Sequence, residues 1–208
     1  MSKYRKFSLL IIAVGVSFFG FCIENFFIAF SHGFIDNRNM ILPFLFGYGL
    51  AILAFFKLFG TPHEPKCFGK NISIKSIRLS TIYYFIIAFL GVCVGELLLG
   101  HYIEWACGII WWDYTRLPLH VTRYTSVPTS FCFATLITVF MKYFFTPLLN
   151  ALSRLRPTFL VLLATVSVSL LALDMINSAI YMFQNHDTLH LWRLNFHIPF
   201  SELFWGEK

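Results

Sequence analysis

Residues 91–123 read GVCVGELLLGHYIEWACGIIWWDYTRLPLHVTR. The stretch begins as an apolar helix, yet it carries Glu96, His101 and Glu104. It ends in Trp111, Trp112, Asp113 and Tyr114, where apolar sequence meets water. Paired tryptophans at the end of an apolar helix read as an aromatic belt at a membrane interface, and acids within such a helix mark candidate sites. The composition around this stretch agrees. The chain has 208 residues, 58% hydrophobic and only 12% charged, with a mean hydropathy of +0.71. A soluble domain needs more charge to cover its surface. The apolar runs approach the roughly 20 residues that one membrane-crossing helix requires. The expected fold class is therefore all-α, a polytopic transmembrane helical bundle. Its five spans fall at about 7–30, 40–59, 81–112, 129–149 and 157–183, forming one domain over 1–183. An extracytoplasmic or interfacial tail over 184–208 follows, in which Trp192, Phe196, Phe200, Phe204 and Trp205 suggest an interfacial helix interrupted by Pro199.

Charge supplies the orientation. The net charge of +6 would suggest nucleic acid in a soluble protein, but here the basic residues lie at helix ends. Eleven lysines and arginines fall on the side of the N-terminus, in the N-terminal segment and in the second and fourth connections, against five on the opposite side. The positive-inside rule puts the N-terminus in the cytoplasm, the tail outside, and no nucleic acid among the partners. The first apolar segment follows Lys3, Arg5 and Lys6 as a signal peptide would. It is long, holds Glu24 and lacks a small-residue cleavage site, so it reads as a retained helix. The five cysteines are mostly inside apolar segments without CxxC spacing, which argues for neither a disulfide framework nor a metal cluster.

The polar residues inside the spans are the candidates for function. Glu24, Glu96 and Asp174 each lie about 15–17 residues from the cytoplasmic end of their helices, or roughly 23–26 Å at 1.5 Å per residue. Three acids from three helices thus share one layer in the outer half of the membrane. Ser17, Gly20, Glu24 and Ser31 share a helical face, which should point into the bundle because a carboxylate facing lipid is costly. Arg38 follows Glu24 by a short loop on the same side, so the two should pair. Asp113 and Arg116 read as a loop ion pair. His101 and Glu104, three apart, have the spacing of an acid–base or metal pair, although a solvated interfacial pair is simpler. No phosphate-binding loop, HExxH or GxSxG is present, so no cofactor, metal or catalytic residue is assigned, and any use of ATP would need a separate ATPase subunit docked on the basic segment 61–80.

A set of residues then carries a resemblance. Glu24 after Gly20 and Phe21, Asn37 with Arg38, Glu96, the run Trp111 to Tyr114, Pro118 with Leu119, Thr125 to Pro128, and Asp174 with Ser178 together resemble the bacterial membrane family described as putative ABC-transporter type IV, over about 7–178. The sequence departs from that pattern after Arg38, where Asn39 and Met40 stand in place of a glycine and Pro43 in place of a Gly-Pro-rich turn. The resemblance implies a multi-pass protein of the bacterial cytoplasmic membrane, permease-like, with the lipid bilayer, an ATPase subunit and further copies of itself as candidate partners. The substrate-binding candidates are Glu24, Asn37, Arg38, Glu96, Glu104, Trp112, Asp113 and Asp174. Two other classes stay open: an intramembrane enzyme acting on lipid or peptide with Glu24, Glu96 or Glu104 as base, and a regulatory or assembly factor whose acids are structural.

Overall fold

The computed structural model describes residues 4–196. Among these are five helices: α1 (Arg5–His32), α2 (Phe46–Phe59), α3 (Ile77–Cys107), α4 (Val127–Leu152) and α5 (Pro157–Asn185). Four of them are long and apolar enough to cross a membrane, and α2 is a shorter apolar helix of 14 residues. The protein is an all-helical membrane bundle. The helices run alternately between a basic end, where α1 begins and α2 ends, and a far end, where α3 meets α4 and the tail returns.

The helices are amphipathic in the sense that lipid demands. On α3 the exposed face is Leu79, Ile82, Ile86, Leu90, Val94 and Leu98, while the buried face is Ser80, Tyr84, Ala88, Gly100 and Ile103. Large apolar side chains meet acyl chains, and small or hydroxylated ones let backbones approach. α3 stops at Gly108 in the left-handed conformation (φ 71°), whose N–H bonds the Glu104 carbonyl. This αL cap ends the helix five residues before the 112 read from the sequence. α4 contains one π-helical turn, Phe140–Phe144.

The largest departure from the sequence reading lies before α2. Residues 40–45 are not helical, so Pro43 precedes α2 and does not sit in its first turn. Non-helical backbone at membrane depth is tolerated only where its polar groups are satisfied by protein. Here each N–H is accounted for. Met40 donates to the Asn37 carbonyl, Ile41 and Leu42 to the two carboxylate oxygens of Asp174, Phe44 to the Leu42 carbonyl and Leu45 to the Ser17 carbonyl, and Pro43 has no N–H to satisfy. Tertiary partners on α1 and α5 therefore override the helical pattern.

Among the described residues, two small antiparallel strand pairs close the ends. β2 (Lys66–Cys67) and β3 (Lys70–Asn71) form a hairpin at the basic end. At the far end β1 (Phe34–Asp36) pairs with β4 (Arg193–Asn195), with Ile35 opposite Leu194. This corrects the expectation of an interfacial helix for the start of the tail: Trp192 and Phe196 flank a strand. Phe200, Phe204 and Trp205 lie outside the described residues. Asn37 fastens the same segment, donating to the Leu189 carbonyl at 2.7 Å and accepting from the Leu191 N–H at 3.1 Å, while Asn39 accepts from the Leu189 N–H. Arg193 lies over the Phe34 ring, 3.6 Å from its centroid.

Candidate functional site

The expected inward face of α1 is buried at Ser17, Gly20 and Ser31, and it sets Glu24 within the bundle. At Gly20 an added Cβ would meet the Tyr48 ring at 2.5 Å, so only glycine leaves room for that ring. Tyr48 then reaches Glu24 from α2, its hydroxyl donating to Oε1 at 2.7 Å. Arg38 closes the other oxygen: its Nη2 lies 3.0 Å from Glu24 Oε2. Arg38 and Asn39 both have positive φ (48° and 63°), which folds the loop back and turns the guanidinium toward α1. Asp36 holds the turn, accepting from the Arg38 backbone N–H at 2.9 Å and standing 3.6 Å from Nη1. The side chains of Arg38 and Glu24 are 19% and 29% exposed, so this charge-assisted pair is largely withdrawn from water.

Glu96 is met by hydroxyls. Thr125 and Ser130 donate to the same oxygen, Oε2, at 2.8 and 3.1 Å, and they are 3.1 Å from each other. Ser130 lies on the first turns of α4, which Ser126 opens as N-cap by accepting from the Thr129 N–H, with Pro128 within the first turn. Tyr114 lies within electrostatic reach of both carboxylates. Its phenol is pushed above the ordinary tyrosine range, first by burial and then by the charges of Glu96 and Glu24. Glu24 and Glu96 are themselves within electrostatic reach of each other. The geometry therefore gathers two carboxylates, a guanidinium, two phenols and two hydroxyls from α1, α2, α3, α4 and two loops.

A third group holds the loop over this cluster. Tyr124 is 1% exposed, packs into the space left by Gly100, and donates its hydroxyl to Glu104 Oε2 at 2.6 Å. Trp112 Nε1 donates to the Tyr124 carbonyl at 2.9 Å. Arg123 Nη1 stands 3.6 Å from Glu104, and its Nε 3.9 Å from Asp113. Asp113 thus pairs with Arg123, where the sequence suggested Arg116, because the loop turns back and hydrogen-bonds Tyr114 N–H to the Arg123 carbonyl. The Thr115 backbone N–H holds the Asp113 carboxyl below its usual range. His101 Nδ1 lies 3.9 Å from Glu104 Oε2, as the spacing of three suggested.

The remaining sequence candidates lie elsewhere. Asp174, 6% exposed, gives both oxygens to the Ile41 and Leu42 N–H groups at 2.9 Å, and none of its hydrogen bonds reaches Glu24 or Glu96. Asn37 is engaged with the tail. Tyr48 and Ser130 had no sequence signal that singled them out. Gly20, one turn before Glu24, was the available hint that something bulky packs beside that acid. Among the described residues, two cavities have apolar linings that include none of the acids. One, of about 470 Å³, is lined by Phe21, Phe26, Ile35, Trp192 and Phe196. The other, of about 140 Å³, lies among α1, α2 and α5.

Compared with known proteins, residues 11–179 match the family described as putative ABC-transporter type IV. No curated protein and no solved structure matches.

Proposed function

The chain belongs to the putative ABC-transporter type IV family, and from that premise we propose that it is the membrane subunit of a transporter, permease-like, whose substrate site is the Glu24, Arg38, Tyr48, Glu96 and Tyr114 cluster. The observation that supports this most is the meeting of two carboxylates from different membrane helices around one arginine and two tyrosines. Ionisable side chains in the membrane are costly, and such a set recognises a polar or charged solute by exchange of partners. In this conformation the cluster is filled by its own hydroxyls and guanidinium, which describes a closed site. Opening would require the loop 109–126 to lift, breaking the Tyr124 to Glu104 and Thr125 to Glu96 bonds together. Under this reading the membrane is the bacterial cytoplasmic membrane, the cluster faces outward, and an ATPase subunit docks on the basic end.

The test is a Glu96→Gln variant in a deletion strain. It keeps size and hydrogen bonding but removes ionisation. Normal insertion with loss of the deletion-complementing activity is expected, and complete complementation would overturn the site. A second reading has an observation of its own: Glu24, Glu96, Glu104 and Asp174 each have hydrogen-bond partners in the structure. Purely structural acids of an assembly factor need that and nothing more. Under it, Glu96→Gln is fully active and at least as stable.

A further inference from the structure

The inner half of the bundle holds three buried hydroxyls without hydrogen-bond partners among the described residues: Ser8 on α1, Tyr84 on α3 and Thr138 on α4. They are 0%, 0% and 5% exposed. Serine and threonine hydroxyls in apolar helices ordinarily bond back to the carbonyl one turn earlier, as Ser17 does to Ala13 and Thr135 to Phe131. A buried polar group left unpaired costs free energy and calls for water or an ion.

Thr138 lies in line with the acid site. Ser130, Ala134 and Thr138 follow one another at i, i+4 and i+8 on one face of α4. The first bonds Glu96, and the last lies about 12 Å further in at 1.5 Å per residue. Beyond Thr138 the same face carries Met141 and Phe145, which cluster with Tyr84 and with Ile12 of α1, one turn from Ser8. Two residues after Thr138 begins the π turn Phe140–Phe144, a kind of distortion found frequently at functional sites. Between the two polar regions Phe55, Ala88 and Ala134 pack as a buried apolar cluster. Phe55 is seated against Gly91, where an added Cβ would meet its ring at 2.6 Å.

We propose that Ser8, Tyr84 and Thr138 hold water that connects Glu96 with the basic end past Phe55, giving the bundle a path for protons. A proton on the Glu96 carboxyl passes to a water below it. Each water and hydroxyl then accepts one proton and gives one on, and the carboxylate left behind is reprotonated from the far end. No other atom is carried across. The charged and titratable groups around Glu96 are Glu24 on α1, Tyr48 on α2, and Arg38 and Tyr114 on the loops. The inference rests on the reading of the Glu96 cluster as a functional site, but not on the ATPase partner.

The test uses the purified full chain in liposomes enclosing a pH-sensitive dye, with a potassium diffusion potential imposed. Phe55→Ala is expected to raise proton flux several-fold over wild type without releasing an enclosed sugar. Adding Glu96→Gln, or Tyr84→Phe with Thr138→Val, to Phe55→Ala is expected to return the flux to baseline. A monodisperse Phe55→Ala protein with no increase in flux would overturn the proposal, as would an increase indifferent to those second substitutions. Complementation separates the two readings. A Tyr84→Phe, Thr138→Val protein that complements while Glu96→Gln does not removes the proton path and leaves the substrate site standing.

Discussion

Asp174 and Glu96 are acids at similar distances from the starts of α5 and α3, yet they are held in opposite ways. Asp174 is met by two backbone N–H groups, neither of which can leave without unfolding residues 40–45. Glu96 is met by two side-chain hydroxyls, from a loop and a helix start, and a hydroxyl rotates or withdraws with little disturbance to the chain. Glu24 stands between, with a guanidinium and a phenol. The comparison teaches that position along a helix does not decide an acid's role. What decides it is whether its partners are obliged to stay.

The most severe test of that contrast is Asp174→Ala. It orphans two buried N–H groups, and at about 1–3 kcal/mol for each the loss is about 2–6 kcal/mol. Thermal unfolding in detergent, followed by size-exclusion chromatography, should show little or no native protein. Asp174→Asn, which keeps one acceptor, should lie between that and wild type. Wild-type stability in Asp174→Ala would dissolve the distinction altogether.

Arg38→Ala comes next. It removes a hydrogen bond between charged groups, at a cost of about 1.5–3 kcal/mol. Glu24→Gln in the same protein should recover part of the loss. The measurement is a double-mutant cycle by thermal or chemical denaturation, and strictly additive losses would contradict the 3.0 Å contact. Tyr124→Phe should cost less, about 0.5–1.5 kcal/mol for one hydrogen bond, and it should increase proteolysis within loop 109–126 more than it lowers the unfolding temperature. Equal protection of that loop would mean that packing on Gly100 alone holds it down.

The smallest effect on stability belongs to Glu96→Gln. An amide accepts the same two hydroxyls and avoids a buried charge, so the unfolding temperature should be unchanged or slightly raised. A large destabilisation would move Glu96 into the class of Asp174.

Much of this was legible in the residues. The bundle, the inward face of α1 and the Glu24 with Arg38 pair follow from apolar run length, from a helical spacing of three and four, and from the cost of a charge in lipid. The start of α2 was not legible, because Ile41 to Leu45 look like helix and only the arrival of Asp174 and the Ser17 carbonyl makes a non-helical path cheaper. The partner of Asp113 was also hidden. Arg116 is nearer in sequence, but the turn that brings Arg123 back depends on a backbone bond from Tyr114. The strand at 193–195 was invisible for a similar reason: three residues have no periodicity of their own, and they pair with a segment some 160 positions earlier.

That distance has a consequence for biosynthesis. A ribosome releases residues 40–45 long before Asp174, and longer still before Leu189 and Leu191, which Asn37 requires. Until α5 is made, two amides of that segment lack their acceptors, and the loop before it lacks its opposing strand. The connection between α1 and α2 must therefore wait, incompletely folded, for α5. A chain ending before Pro157 leaves the Ile41 and Leu42 amides without those acceptors. Among the described helices α5 is made last, and it completes the segment that leads into α2.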